Sequence, residues 1–111
     1  MLRCRTDQHI LDFPSCHRIA MNVPTVQKAL HLTARAGPYE VVNIEVPKLD
    51  AGEVLIRIEA TALNPGDWKV RFLPQFAGLI KEYPVIQGMD AAGVIVALGD
   101  GVIKHRIGDK V

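Results

Sequence analysis

The chain has 111 residues, with 13 Lys and Arg residues against 12 Asp and Glu residues and a formal net charge of +1. This balance excludes the strongly basic surface that gathers nucleic acid or an anionic membrane. No segment approaches the roughly 20 apolar residues of a membrane-spanning helix. The length allows one domain with a modest core. Charged residues interrupt the N-terminus, which argues against a secretory signal, and we expect a cytoplasmic protein.

Residues 1–24 are predicted to be a disordered extension outside the fold, because the chain reads as a sensible protein start only from Met21 onward. Both cysteines, Cys4 and Cys16, lie in this segment. We expect two reduced thiols. A metal cluster of these cysteines with His9 and His17 is the alternative, but the spacing matches no zinc-finger or zinc-ribbon pattern.

The middle of the chain alternates apolar and polar residues, which is typical of β-strands. The alternation is weak over 28–32 and clear over 39–46, where Val42 and Ile44 share a face. It is strongest over 53–63, and predicts a strand with one buried face. The apolar residues of that face are Val54, Ile56, Ile58, Ala60 and Ala62.

After this strand, Asn64-Pro65-Gly66 predicts a break, and residues 67–73 predict a short helix with Trp68, Phe72 and Leu73 turned inward. Residues 74–84 read as a loop, and 94–98 as a further strand. A turn at 99–101 follows, and residues 106–111 begin another turn and strand. Many short strands with Gly and Pro turns indicate a mainly β fold, a barrel or a sandwich.

The pair Gly99 and Gly101 suggests a dinucleotide-binding turn, but its context does not fit. The third glycine of that motif would stand at Lys104, and no amphipathic helix follows to face a pyrophosphate. A hairpin turn is the better interpretation.

Polar residues at the break after the strongest strand form the main candidate site. A strand holds such side chains still while the loop exposes them. The alternative is a helix cap, with Asp67 accepting hydrogen bonds from free N–H groups.

Asp90, between Gly88 and Gly93, is expected to be buried in a structural ion pair, or else to act as a proton-transferring acid.

Five segments in register resemble the start of the medium-chain dehydrogenase/reductase superfamily. They are GEVLIRI at 52–58, ALNPGDWK at 62–69, YPVIQGMDAAGVI at 83–95, GDGV at 99–102 and GDKV at 108–111. The resemblance implies that residues 25–111 form a GroES-like, partly open β-barrel with short helical turns. It also implies that the chain is an N-terminal piece, incomplete at its C-terminus and without the Rossmann domain that holds NADP or NAD.

Two departures from the zinc-dependent alcohol dehydrogenases separate this chain from that branch. Those enzymes carry a cysteine ligand where this chain has Asn64, and a His-Glu pair where it has Met89-Asp90. Asparagine and a thioether are poor zinc ligands, so no metal is expected. The zinc-free branch of quinone oxidoreductases and fungal trans-acting enoyl reductases is the closer resemblance.

In that branch the implied reaction is hydride transfer from NADPH to an activated C=C bond or a quinone. The expected partner of the full-length protein is a second copy in a homodimer. By resemblance, Asn64 and Asp67 are the catalytic candidates, and Asn64, Pro65 and Lys69 the cofactor contacts. A small-molecule substrate is expected, with no nucleic-acid or membrane partner, and the 111 residues alone are expected to be inactive. The alternatives are an inactive β-barrel interaction module and a fragment of a zinc-dependent alcohol dehydrogenase.

Overall fold

The computed structural model describes residues 1–5, 18–19, 22–76 and 78–111. Within these ranges the chain is mainly β with short helical turns, and that prediction is confirmed. The strands are β1 (Leu2–Arg5), β2 (Arg18–Ile19), β3 (Val26–Leu32), β4 (Tyr39–Glu45), β5 (Glu53–Ala60), β6 (Val85–Ile86) and β7 (Ala92–Leu98). Helix α1 spans Pro65–Phe72, and a short 3-10 helix spans Pro74–Phe76. The strands form two sheets, ordered β1-β5-β7-β2 and β4-β3-β6.

The four-stranded sheet is antiparallel and belongs to one of two compact units, which comprises residues 1–25, 45–60 and 91–111. Its central pair aligns Val54 with Leu98 and Ile56 with Ile95. Since successive residues of a strand point to opposite faces, this pair buries two apolar clusters. One contains Val54, Ile56, Ile95 and Leu98, and the other Leu55, Val96 and Ala97.

Strand β5 differs from its predicted one-sided burial, because Glu53 and Leu55 are also buried. Leu55 packs in the second cluster, which the partly buried side chains of Met1, Val23, Val46 and Leu49 cover. The Glu53 carboxylate lies 3.1 Å from Arg3 Nε and accepts the Asp50 N–H at 2.9 Å. A charged partner and an N–H donor offset the loss of water around this buried charge.

The N-terminal segment also differs from its predicted place outside the fold. Strands β1 and β2 pair with β5 and β7 and satisfy the backbone groups along those strands. Cys4 lies exposed on β1. Residues 6–17 and 20–21, with the other members of the alternative metal cluster, lie outside the described residues.

The last residues of the chain contain the predicted turn and lie beside β7, but they form one isolated bridge, between Lys110 and Val94, and not the predicted strand. Gly93 and Val111 exchange two backbone hydrogen bonds of 2.8 and 3.0 Å, and the Ile95 N–H donates to the Asp109 carbonyl at 2.9 Å. A side chain at Gly93 would collide with the Arg57 carbonyl oxygen of β5, so the close pairing requires glycine there. No helix occurs between residues 99 and 111. The turn at Gly99 and Gly101 therefore differs from a dinucleotide-binding turn, which leads into a helix.

The second compact unit comprises residues 26–44 and 61–90, and contains the three-stranded sheet and α1. Strand β3 pairs with β6 in the register His31 to Ile86 and Leu32 to Val85. Leu32 is fully buried. On β4, Val42 and Ile44 are half-buried between exposed neighbours, so the predicted alternation is confirmed.

Candidate functional site

Helix α1 begins where the sequence changes from apolar to polar residues. Asn64 is still extended, with φ −112° and ψ 154°, and Pro65 takes the first helical position, where its missing N–H costs nothing. The Asp67 Oδ2 atom accepts the Asn64 backbone N–H at 2.7 Å, and the Asp67 N–H donates to the Asn64 carbonyl at 3.0 Å. The cap interpretation of Asp67 is therefore confirmed, and the helix begins two residues before its predicted start.

The aromatic side chains of α1 contact the cationic groups of Arg71 and Lys69 and are not packed in a core. Trp68 and Phe72 are about half exposed, at 51% and 50%, so the prediction that they turn inward is wrong. The Arg71 guanidinium lies 4.7 Å from the centroid of the Phe72 ring and 4.6 Å from that of Tyr39. The Lys69 ammonium lies 5.9 Å from the Trp68 ring. Attraction between a cation and an aromatic face stabilises such half-exposed rings.

Asn64 and Asp90 are joined by their side chains. The Asn64 Nδ2 group donates to Asp90 Oδ2 at 2.8 Å, and the Thr61 hydroxyl donates to the Asp90 carbonyl at 2.7 Å. Asp90 is exposed, so the predicted buried ion pair is wrong. Its side-chain partner is the Asn64 amide.

A second chain of hydrogen bonds holds α1, and sequence reasoning missed it. The Tyr39 hydroxyl donates to Gln87 Oε1 at 2.5 Å, and Gln87 Nε2 donates to the Asp67 carbonyl. Arg71 Nη2 donates to the Gly37 carbonyl in the turn before β4. Tyr39 and Gln87 lie 48 residues apart, and no local pattern marks them as partners.

A pocket of about 310 Å³ lies beside α1. Its polar lining comes from Asp67, Lys69 and Gln87, and the rest of its lining residues are apolar side chains and glycines. Of the predicted site residues, the structure thus brings Asp67 and Lys69 to the pocket. Asn64 and Pro65 precede these residues on α1 and do not line it. The apolar lining side chains are Val70, Phe76, Leu79, Ile80, Val85, Ile86 and Met89.

Within the described ranges, no group of three or more His, Cys, Asp and Glu side chains is placed to hold a metal ion. The same ranges contain no helix with the length and apolar character needed to cross a membrane.

Comparison with known proteins places these observations in a family. Residues 50–111 match the alcohol dehydrogenase GroES-like domain. The chain is 39% identical over 82 residues to a chloroplast envelope quinone oxidoreductase homolog of Arabidopsis thaliana, covering 68% of this chain and 23% of the relative. It is 36% identical over 96 residues to a 2-methylene-furan-3-one reductase of Solanum lycopersicum, covering 83% and 24%.

A third relative is a trans-enoyl reductase of Aspergillus japonicus, 42% identical over 59 residues that cover 53% of this chain and 16% of the relative. The chain therefore spans less than a quarter of the length of each of these three relatives.

Proposed function

The chain belongs to the alcohol dehydrogenase GroES-like domain family, within the medium-chain dehydrogenase/reductase superfamily, and we propose that it is the catalytic-side domain of an NADP-dependent reductase. The proposed reaction is hydride transfer to an activated C=C bond or a quinone. The observation that carries the proposal is the start of α1, where Asn64 is held at its backbone by Asp67 and at its amide by Asp90. The names of the three relatives support the same substrate classes.

The donor set at this site does not fit a catalytic zinc ion. Zinc is bound by thiolate, imidazole or carboxylate in a tetrahedral shell. Here Asn64 and Met89 offer an amide and a thioether, and the carboxylates of Asp67 and Asp90 are hydrogen-bonded to Asn64. These two carboxylates belong to no group of three or more His, Cys, Asp and Glu side chains that could hold a metal within the described ranges. We therefore propose a zinc-independent reaction.

The nicotinamide cofactor would supply the hydride when bound. Lys69 fits a contact with it, because Lys69 lines the pocket and a lysine ammonium can donate to an oxygen of an anionic or carboxamide group. Asn64 and Pro65, one turn before Lys69 on α1, are the other proposed contacts. Because the described residues include no glycine-rich turn leading into a helix, these contacts would serve one end of the cofactor.

The chain's own contribution to the reaction is positioning and charge stabilisation. Asp67 fixes the backbone at Asn64, and the Asn64 amide can donate to the oxygen on which negative charge develops as the hydride arrives. Asp67 is then a positioning residue for Asn64, and its own catalytic role stays a prediction.

The test is deuteride transfer by the purified protein, including any sequence that its reading frame adds to these residues. Deuterium-labelled NADPH is offered with methyl vinyl ketone and with para-benzoquinone, in parallel with NADP and a panel of simple alcohols. We expect deuterium at the β-carbon of the reduced ketone, or oxidation of NADPH by the quinone. Alcohol oxidation without reduction of either acceptor would contradict the proposal and favour a zinc-dependent alcohol dehydrogenase.

A second measurement concerns the 111 residues by themselves. We expect no micromolar affinity for NADPH in a titration followed by the fluorescence of the nicotinamide, because the described residues lack a phosphate-binding turn. Micromolar binding by these residues would contradict the assignment of cofactor binding to a further domain.

A further inference from the structure

We propose that the pocket beside α1 binds the apolar body of a small electrophilic substrate, and that Met89, packed over Gly66, limits the size of the molecule that enters. The identity of the ligand as a substrate rests on the proposed function. The binding and its size limit rest only on the geometry of the pocket.

The chemistry of the lining selects an apolar occupant. Seven of the side chains around the pocket are aliphatic, aromatic or thioether groups. The Gln87 amide already donates to the Asp67 carbonyl and accepts from Tyr39, so its polar capacity is largely used inside the protein. Asp67 and Lys69 can serve a polar group at one part of the pocket. Polar groups against the apolar lining would lose water without replacement partners.

The volume of about 310 Å³ is at the lower end of the roughly 300–1,000 Å³ typical of small-molecule sites. The occupant is therefore a compact molecule and not a long acyl chain. An enone or quinone with a short alkyl substituent fits both the volume and the lining.

Met89 is placed against the helix by two glycines. An ideal Cβ at Gly66 would overlap Met89 Cε and lie 3.8 Å from its Sδ, so the methyl group occupies the space that any other side chain at position 66 would fill. Gly88 has a φ of +134°, a conformation that favours glycine, and it directs the chain into Met89. The Met89 side chain is 69% exposed, so its free end can move when its neighbours change.

This arrangement gives two opposite ways to change the pocket. Gly66→Ala would push the Met89 methyl group away from α1 and toward the pocket, without backbone strain, since alanine favours a helix over glycine. Met89→Ala would remove most of the Met89 side chain from the lining of the pocket. Met89→Leu is the matched control, because it retains the volume with a conservative apolar side chain.

The binding arm of the experiment uses alkyl phenyl ketones of increasing alkyl length, from methyl to hexyl, which bind without being reduced at a C=C bond. Dissociation constants are measured by calorimetry for the protein and the three variants. We expect the size limit to rise for Met89→Ala, with roughly 10-fold tighter binding of the largest ketones. We expect it to fall for Gly66→Ala, and to stay unchanged for Met89→Leu.

The activity arm uses alkyl vinyl ketones with the same alkyl groups and NADPH, and compares kcat/KM across the series. Shifts that match those in binding support the proposal. Turnover whose size profile is the same in all variants would overturn it, and so would ketone affinities that none of the variants changes. Size-dependent binding without turnover of any enone or quinone would retain the pocket inference and contradict the proposed reaction.

Discussion

The four-stranded sheet and the α1 region are stabilised in different ways. On β5 and β7, side chains on both faces are buried, and Ile95 has no exposed surface. Helix α1 has no buried residue, and hydrogen bonds and cation–aromatic contacts fix it instead. The difference indicates that the sheet provides stability, whereas the α1 region provides a set of polar groups in fixed positions. Substitutions in the sheet should therefore mainly change the free energy of unfolding, whereas substitutions at the start of α1 should mainly change activity.

The largest effect is expected from Ile95→Ala in the sheet. Removing a fully buried side chain loses its transfer free energy and leaves a cavity, which lowers the free energy of unfolding by about 3 kcal/mol. Urea unfolding measures this change. Ile103, which is 83% exposed, is the control, and Ile103→Ala should change stability by less than about 0.5 kcal/mol. Similar effects of the two substitutions would contradict the assignment of the core.

Asn64 should show the opposite behaviour, with a large effect on activity and a small effect on stability. Asn64→Ser keeps a good helix cap but removes the amide donor. We expect kcat/KM for enone reduction to fall by roughly 10- to 100-fold. The free energy of unfolding should fall by only about 1 kcal/mol, because the hydrogen bond to Asp90 is also lost. An unchanged kcat/KM would remove Asn64 from the reaction.

Arg3 tests whether the N-terminal strand belongs to the sheet. Its partner Glu53 has a side chain only 8% exposed, and Arg3→Met would leave that carboxylate without its cation. Because Arg3 is itself 43% exposed, water can replace part of the contact, and we expect a loss of about 2 kcal/mol in unfolding free energy.

Arg57→Met is the matched control for Arg3. Arg57 pairs with Glu59 at 3.1 Å, and both side chains are more than half exposed. Exposed pairs contribute little, so we expect less than about 0.5 kcal/mol. Equal losses for the two arginines would contradict the role given to β1.

The smallest effect is expected at Tyr39. Tyr39→Phe keeps the ring beside Arg71 and removes only the hydroxyl that donates to Gln87, which should cost about 1 kcal/mol. Tyr39→Leu removes both contacts and should cost more. Amide hydrogen exchange in α1 reads the change locally, and equal exchange in Tyr39→Phe and the unmodified protein would show that the hydroxyl does not hold the helix.

The sequence predicts features that depend on neighbouring residues and misses contacts between residues far apart in the chain. Alternation placed β4 and β5 nearly correctly, and the position of Asp67 in the predicted first turn offered the cap as one of two interpretations, because both signals are local. The contacts of Asn64 with Asp90 and of Tyr39 with Gln87 span 26 and 48 residues. They depend on how strands pair across the chain, which no short pattern encodes.

The burial of the second face of β5 was not predicted, for a related reason. Its period-two pattern describes one strand face, whereas the covering of the other face comes from residues far away, including Met1 and Val23. The prediction that residues 1–24 lie outside the fold missed this contribution, because the alternation of Leu2–Arg5 covers only four residues and is too short to mark a strand.

The central claim, a metal-independent hydride-transfer site at the start of α1, is tested most directly by deuteride transfer after dialysis against a zinc chelator. Metal content and transfer from labelled NADPH to methyl vinyl ketone are measured on the same sample. We predict an unchanged rate of deuterium incorporation at the β-carbon in protein with no bound zinc. A rate that falls with the loss of zinc and returns when zinc is restored would contradict it.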